Sequence, residues 1–259
     1  MRQVVQYQAT GKIETIEVPE PALQSGGILV RTACSVLSPG TERASLEFGR
    51  QSLTQKAVRR PDMVGRVLQK ARRDGLLATF REVQNRMQRP SPTGYSSAGI
   101  VMGVGEGVQG FKVGDAVACA GNQYAYHAEV AFVPQNLAVP VPQGVSLDHA
   151  AFCTLGAIAM QGVRIGGIGL GERVAVVGLG LVGQLTVQIA KAAGARVLAV
   201  DLNPSRVEMA RSLGADVAVL RADAESAAEA FSQGYGVDAV LLTAATQSAD
   251  PVNLAAAIA

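Results

Sequence analysis

A glycine-rich turn between an apolar strand and a helical stretch is the feature that most constrains how this chain can fold. The β-branched run at residues 174–177 predicts a buried parallel strand, the sequence GLGLVG at residues 178–183 predicts a tight turn, and residues 184–193 predict a helix. The first glycine of such a turn allows the reversal, the second lets the backbone approach phosphates, and the third lets helix and strand pack closely. The start of the helix adds free N–H groups and the positive end of its dipole, so the segment predicts a site for a dinucleotide diphosphate.

A second apolar strand follows the helix at residues 197–200 and ends in Asp201, 23 residues after Gly178. A carboxylate at this place can accept hydrogen bonds from both ribose hydroxyls of an adenosine, which favours NAD as the cofactor. A 2′-phosphate would be repelled by that charge and would need a nearby arginine, and Arg206 keeps NADP as the less favoured alternative. The predicted cofactor-binding residues are Gly178, Leu179, Gly180, Leu181, Val182, Gly183, Asp201 and Arg206.

The chain has 259 residues, of which 48% are hydrophobic, so it is long enough to form two modest domains around real cores. Its formal net charge of +2 gives no whole-molecule argument for binding nucleic acid or membranes. The first residues lack the apolar core of a signal peptide, and no apolar run is long enough to span a bilayer, so a cytoplasmic location is expected by default. Cys34, Cys119 and Cys153 lie far apart in apolar sequence and are expected to be reduced core thiols.

The pattern of elements changes near residue 145. Short strands punctuated by glycine and proline occupy residues 1–42 and 98–141 and predict a compact, barrel-like β-domain at 1–145. Helices and strands alternate over 146–259, which predicts an α/β domain with a parallel sheet. The expected later elements are a helix at 204–213, a strand at 216–220, a helix at 222–231 and a strand at 237–242. Because only four strands can be placed before the chain ends in an incipient helix, this domain is expected to be incomplete at its C-terminus.

A basic segment at residues 43–90 lies between the two groups of short strands. It carries 12 of the 23 lysine and arginine residues but only four acids, and its apolar residues recur at intervals of three and four. This pattern predicts two or three amphipathic helices that form an insertion packed on the surface of the β-domain. Contact with an anionic substrate, a partner protein or nucleic acid is the alternative, and the scarcity of aromatic residues disfavours stacking on single-stranded nucleic acid.

Several motifs resemble the medium-chain dehydrogenase/reductase superfamily, which includes the zinc-type alcohol dehydrogenases. They are the glycine turn, GYSSAGIV at residues 94–101, GVGEGVQGFKVGDAVA at 103–118, SPGTER at 38–43 and HAEV at 127–130. The similarity runs from about residue 4 to the end and is greatest to zinc-independent bacterial members that are often fused to a second, sugar-dehydrogenase-like oxidoreductase domain. The resemblance implies an α/β protein with a GroES-like β-barrel domain at 1–145, carrying the helical insertion, followed by a truncated Rossmann doubly wound parallel sheet at 146–259.

The resemblance also implies where zinc ligands would stand, and this chain lacks them. The zinc branch has a cysteine where Pro39 or Ser38 stands, a histidine where Tyr95 stands and a cysteine or acid near Leu155. Proline, tyrosine and leucine cannot supply the thiolate, imidazole or carboxylate donors of a tetrahedral zinc site. The four closely spaced cysteines of a structural zinc lobe are also missing. We therefore predict neither a catalytic nor a structural zinc ion.

Without a metal, hydrogen-bond donors must stabilise the oxyanion that develops during hydride transfer. The resemblance makes Tyr95 the candidate general acid, with Thr41 and Ser38 as hydroxyl relays, and burial of Tyr95 for packing is the alternative. His127 is expected to have a structural hydrogen-bonding role.

The resemblance and the cofactor motif together predict an NAD(H)-dependent, metal-independent oxidoreductase that acts on a hydroxyl, carbonyl or enone of a small molecule, such as a sugar or glycan precursor. A nucleotide-binding sensor or assembly module without turnover is the alternative function. The expected partners are a small-molecule substrate and either a second copy of the chain or a fused oxidoreductase domain. Nucleic acid and membranes are not expected as partners.

Overall fold

The computed structural model describes residues 1–7, 10–38, 40, 73, 75 and 89–259. The chain divides into two compact units, Met1–Cys153 and Thr154–Ala259. The predicted helical insertion at 43–90 lies outside the described residues apart from four of its members, and so does the candidate relay residue Thr41.

In the described residues of the first unit, antiparallel strands form two sheets. The strands are β1 (Arg2–Tyr7), β2 (Ile13–Glu17), β3 (Gly27–Ser35), β4 (Pro90–Pro92), β5 (Ser96–Val104), β6 (Ala116–Ala120), β7 (Val130–Pro134) and β8 (Ala138–Pro140). One sheet has the order β2-β1-β4 and the other has the order β7-β3-β5-β6-β8. Apolar residues of the larger sheet, among them Ile28, Val101 and Val117, are fully buried and form the core of this unit. The short, punctuated strands of the sequence thus form a β-domain, as predicted, and the structure adds that their pairing is antiparallel.

Helix α1 (Leu147–Ala150) ends the first unit, and α2 (Cys153–Ile165) begins at its last residue. The second unit has one parallel sheet with the order β11-β10-β9-β12. Its strands are β9 (Arg173–Val177), β10 (Arg196–Asp201), β11 (Val217–Leu220) and β12 (Ala239–Leu242), and its further helices are α3 (Leu181–Ala192), α4 (Pro204–Ser212), α5 (Ala224–Ser232) and α6 (Asp250–Ile258). The order reverses beside β9, since β10 and β11 lie on one side of it and β12 on the other. In open sheets of this kind, ligands bind at the carboxyl ends of the strands where such a reversal occurs.

Both faces of the parallel sheet are covered, because successive side chains of a strand point to opposite faces. Val174 and Val176 of β9 pack on one face with residues of α2, α3 and α4. Ala175 and Val177 pack on the other face with residues of α5 and α6. Strands that are buried on both faces must be apolar throughout, which is why residues 174–177 read as a continuous apolar run. The predicted doubly wound α/β architecture is therefore confirmed in this unit.

Two local predictions from the sequence are wrong. Helix α3 begins at Leu181 rather than at residue 184, because the third glycine of the turn belongs to the first helical turn. Cys153 was expected in a core, but it is exposed at the start of α2, whereas Cys119 is buried in β6 and Cys34 is half-buried.

Within the described ranges, no helix combines the length and the apolar character needed to cross a bilayer.

Candidate functional site

The glycine turn joins β9 to α3 at the carboxyl edge of the parallel sheet. Gly178 has a φ of +98°, and a Cβ atom there would lie 2.5 Å from the backbone nitrogen of Ala244. A Cβ atom on Gly183 would lie 1.9 Å from the carbonyl oxygen of Gly178. Gly180 is different, because a Cβ atom there would meet nothing within 4 Å. The first and third glycines therefore shape the turn, and the second leaves open space in front of the helix.

The N-terminus of α3 is not capped by a side chain at its N-cap position. Its N-cap residue is Gly180, and its first turn carries no acid. The first N–H groups of a helix have no partner within the helix, and together with the helix dipole they attract anions. With the open space at Gly180, this helix start leaves room for an anionic group in front of its N–H groups.

Asp201 ends β10 beside the turn, and its side chain is only 8% exposed. Its Oδ2 atom accepts a hydrogen bond from the N–H of Leu179 at 2.6 Å, and its Oδ1 atom accepts one from the N–H of Asn203 at 2.8 Å. A carboxylate offers about four lone-pair positions, so two remain for hydroxyl donors. The sequence predicted a carboxylate for a ribose, and it did not predict that the same carboxylate holds the turn.

Arg206 stands in the first turn of α4 beside this carboxylate. One of its guanidinium nitrogens lies 3.7 Å from Oδ2 of Asp201, and its side chain is 54% exposed. At 3.7 Å the two groups are too far apart for a hydrogen bond, and the guanidinium is more than half exposed, so it remains available to an added ligand. The structure thus brings the predicted acid and the predicted arginine together at the end of β10.

Two further polar residues hold the turn, and the sequence reasoning missed both. Gln184 is buried, and its Nε2 atom donates to the carbonyl of Leu179 at 3.3 Å and to the carbonyl of Arg206 at 2.8 Å. The hydroxyl of Thr243, directly after β12, donates to the carbonyl of Gly178. The sequence offered two signals that could have found them: a glutamine on the inner face of α3 and a threonine directly after an apolar strand. Their partners could not be known before the elements were packed.

In the first unit, Tyr95 lies directly before β5 and is half-buried. Its carbonyl accepts a hydrogen bond from the N–H of Gly121 at 3.0 Å, and Gly94 before it has a φ of +97°. The imidazole of His127 packs against that glycine, since a Cβ atom on Gly94 would lie 2.9 Å from its Cε1 atom. Nδ1 of His127 lies 2.8 Å from the hydroxyl oxygen of Ser35, which is in keeping with the structural role expected for this histidine.

Ser38 and Tyr95 flank the same end of the larger antiparallel sheet. The last residue of β3, Ser35, is paired with Ser97 near the start of β5. Ser38 follows β3 by three residues and is 8% exposed. The structure therefore places Ser38 and Tyr95, two of the three predicted catalytic residues, at one end of strands β3 and β5. The third, Thr41, lies outside the described residues.

The residues at the expected zinc positions do not fit a zinc ion. Ser38 and Tyr95 offer hydroxyls, and Leu155 is a fully buried apolar side chain of α2. Zinc in proteins is held by thiolate, imidazole or carboxylate donors in tetrahedral array. Among the residues that the structure describes, no three His, Cys, Asp or Glu side chains are grouped so that they could hold a metal ion.

Two family models match the chain, one in each unit. The alcohol dehydrogenase GroES-like domain matches residues 63–143, and the zinc-binding dehydrogenase domain matches residues 182–257. The chain is 31% identical over 189 residues to an alcohol dehydrogenase of Geobacillus stearothermophilus, a match that covers 62% of this chain and 56% of that protein. It is 33% identical over 150 residues to the (R,R)-butanediol dehydrogenase of Bacillus subtilis, with 49% of this chain and 43% of that protein covered. The chain spans about half the length of these curated relatives.

Solved structures share the fold. The alcohol dehydrogenase TADH from Thermus sp. ATN1 superposes with a TM-score of 0.74 at 24% identity, covering 100% of this chain and 74% of that one. An alcohol dehydrogenase superfamily protein from Novosphingobium aromaticivorans gives a TM-score of 0.74 at 25% identity, covering 98% of this chain and 69% of that one. These matches confirm the GroES-like and Rossmann-like architecture that the motifs predicted.

Proposed function

Because the chain belongs to the medium-chain dehydrogenase/reductase superfamily, we propose that it is an NAD(H)-dependent oxidoreductase that interconverts a hydroxyl and a carbonyl group of a small molecule without zinc. The names of two relatives, alcohol dehydrogenase and butanediol dehydrogenase, favour a hydroxyl–carbonyl pair over an enone. A sugar or glycan precursor is the substrate class that we propose within that group.

The start of α3 is the single observation that carries this proposal. Gly180 leaves the helix N-terminus open, and Asp201 stands at the end of the neighbouring strand. The N–H groups of α3 would hold the diphosphate, and the free lone pairs of Asp201 would accept the ribose hydroxyls. A bound nicotinamide dinucleotide would supply the hydride acceptor or donor.

Residues of the first unit would move the proton. We propose that the Tyr95 hydroxyl donates a proton to the carbonyl oxygen in the reduction direction and accepts it in the oxidation direction. Ser38 and Thr41 would carry that proton onward through their hydroxyls. The residue types at positions 38, 95 and 155 support a reaction without zinc, because serine, tyrosine and leucine are not the thiolate, imidazole or carboxylate donors of zinc sites.

Cofactor binding is tested by titrating the full chain with NADH and following nicotinamide fluorescence. Removing the ribose acceptor by Asp201→Ala is expected to weaken NADH binding at least about tenfold, because two hydrogen bonds to a charged group are lost. Asp216→Ala is the matched control. Asp216 also accepts a hydrogen bond from a backbone N–H, that of Val197 at 2.6 Å, but it lies before β11, beside the end of β10 that is opposite Asp201. Equal affinity of wild type and Asp201→Ala would refute the proposed site.

Turnover is tested with Tyr95→Phe, which removes only the hydroxyl. We expect NADH affinity within about twofold of wild type and a kcat on aldehydes, ketoses or nucleotide-sugars that falls by about 100-fold. Tyr235→Phe, at an 85% exposed tyrosine, is the control for the loss of a phenol. NADH binding without hydride transfer to any member of the panel would favour a nucleotide-binding sensor instead.

A further inference from the structure

One peptide unit in the glycine turn is held from both sides. The N–H of Leu179 donates to Oδ2 of Asp201 at 2.6 Å, and the carbonyl of Gly178 in the same peptide accepts from the hydroxyl of Thr243. The hydroxyl oxygen of Thr243 also lies 3.3 Å from the carbonyl oxygen of Val177. Because a trans peptide is planar, fixing its N–H and its C=O fixes the orientation of the whole unit.

The third glycine makes room for this arrangement. A Cβ atom on Gly183 would lie 2.9 Å from the hydroxyl oxygen of Thr243, in addition to its contact with the Gly178 carbonyl. The glycine therefore admits two groups at once, the carbonyl and the hydroxyl that donates to it. A larger residue would displace one or both of them.

The next peptide of the turn is held on its carbonyl side. The carbonyl of Leu179 accepts from Gln184, so the N–H of Gly180, on the opposite side of the same peptide plane, points away from that contact. The turn thus keeps its carbonyls directed at protein donors. An anion at the helix start would then meet N–H groups rather than carbonyl oxygens.

Thr243 reaches the turn from the strand on the other side of the reversal in strand order. Its backbone N–H donates to the carbonyl of Val177 at 2.9 Å and extends the pairing of β12 with β9 by one residue. Asp201 reaches the same peptide from β10. The two side chains therefore connect the strands on both sides of β9 to a single peptide of the turn.

We propose that Thr243 is a positioning residue for the dinucleotide site, because its hydroxyl, together with Asp201, locks the Gly178–Leu179 peptide in the orientation that presents the start of α3 to a diphosphate. We call these three components the turn clamp: the Thr243 hydroxyl, the Gly178–Leu179 peptide and the Asp201 carboxylate. The proposal rests on the proposed NADH site. It assigns a role in cofactor binding to a residue 65 positions from the turn.

The turn clamp is tested by two substitutions of Thr243 in the full chain, with NADH affinity as the measurement. Thr243→Val keeps the branched shape but loses the hydroxyl, and we expect NADH to bind about tenfold more weakly, as for the loss of one hydrogen bond to a buried carbonyl. Thr243→Ser keeps the hydroxyl, and we expect it to restore affinity to within about threefold of wild type. Thr246→Val is the matched control, because Thr246 is exposed and its hydroxyl accepts a hydrogen bond from the N–H of Ser248 in its own loop.

Each result separates the turn clamp from the cofactor site. If wild type binds NADH and Thr243→Val binds it equally well, or if Val and Ser weaken it equally, the clamp is refuted and the proposed site stands. If wild type does not bind NADH, the site itself fails and the clamp has no function. Amide hydrogen exchange on the wild-type chain covers the case in which Thr243→Val does not fold: the Leu179 amide is expected to be protected, and exchange at the rate of a free peptide would refute the clamp.

Discussion

The N-termini of α3 and α4 lie at the same edge of the parallel sheet, and they differ in how their N–H groups are satisfied. Helix α4 begins after Asn203, whose side-chain oxygen accepts a hydrogen bond from the N–H of Ser205 at 2.9 Å, and Pro204 occupies its first turn. Helix α3 begins after Gly180 and has neither a capping side chain nor an acid in its first turn. The two helices occupy equivalent places in one sheet, but their first N–H groups differ. A side chain of the helix's own sequence caps α4, whereas the start of α3 has no such cap and leaves room for an external acceptor.

This difference shows why strand–turn–helix topology alone does not identify a ligand site. Both helices follow a buried parallel strand, and both dipoles point their positive ends to the same edge. What distinguishes α3 is that its N-cap residue, Gly180, supplies no side-chain hydrogen bond and leaves open space in front of the helix.

The largest effect is expected from adding a methyl group at the third glycine. Gly183→Ala places a Cβ atom 1.9 Å from the Gly178 carbonyl oxygen, so the turn must open. We expect the free energy of unfolding to fall by about 3 kcal/mol, as for an overpacked core site, and NADH binding to fall beyond detection. Gly180→Ala is the matched variant with open space, and it should keep stability within about 1 kcal/mol while weakening NADH about tenfold. Urea unfolding and NADH titration of the pair decide, and equal destabilisation of the two variants would contradict the assignment of roles.

Giving α3 the kind of cap that α4 has should stabilise the helix and close the site. Gly180 has extended backbone angles (φ −72°, ψ −167°), which suit a capping side chain. Gly180→Asp is expected to raise the free energy of unfolding by a few tenths of a kcal/mol and to weaken NADH at least about 100-fold, because the carboxylate occupies the N–H groups and repels the diphosphate. Gly180→Asn caps without charge, and its smaller loss of affinity would separate competition from repulsion. Unchanged NADH affinity in both variants would mean that the diphosphate is not held at α3.

Removing the cap of α4 should affect stability and leave binding intact. Asn203→Ala deletes the acceptor for the N–H of Ser205, and we expect a loss of about 1 kcal/mol in the free energy of unfolding. NADH affinity should stay within about twofold of wild type, because the Asn203 backbone N–H that donates to Asp201 is retained. Asn253→Ala, on the exposed surface of α6, is the control for deleting an asparagine side chain. A large loss of NADH affinity would show that α4 belongs to the cofactor site as much as α3 does.

An effect on stability that depends on pH is expected at Asp216, which lies before β11 beside the start of β10. Burial alone would raise the pKa of the Asp216 carboxyl, but hydrogen bonds from Lys191 and from the N–H of Val197 outweigh burial and lower this pKa. The stabilisation is therefore complete above the ordinary carboxyl pKa and is lost as the pH falls through the lowered value. Asp216→Asn should reduce the free energy of unfolding by about 1 kcal/mol at pH 7, with a smaller difference from wild type in acid. Urea unfolding of Asp216→Asn and wild type at pH 7 and at acidic pH measures the difference in their free energies of unfolding. A difference that grows on acidification would contradict this prediction.

Local chemistry made much of the second unit predictable. Residues 174–177 and 197–200 are apolar because each strand is buried on both faces, so periodicity and composition located them closely. The start of α3 was placed three residues late, since two of the turn's non-glycine residues, Leu181 and Val182, already belong to the helix. Cys153 was misplaced because its apolar neighbourhood in sequence does not fix which side of α2 it occupies.

The site was predictable in part for the same reason. The glycines and Asp201 could be identified because their spacing follows from one strand, one helix and the next strand. Gln184 and Thr243 could not, since a polar residue at a helix face or a strand end has many potential partners until the elements pack. Burial of Gln184 and the approach of Thr243 to the Gly178 carbonyl are products of packing between elements far apart in the chain.

The amino-acid sequence by itself determined the glycine turn, the apolar strands around it and the carboxylate at the end of β10, because each depends on residue type and short spacing. Only the tertiary structure decided that one carboxylate and one threonine would form hydrogen bonds to the same peptide from the strands on either side of β9. Hydrogen bonds between residues 22 and 65 positions apart form only when three strands are aligned at one edge, and no local pattern contains that alignment.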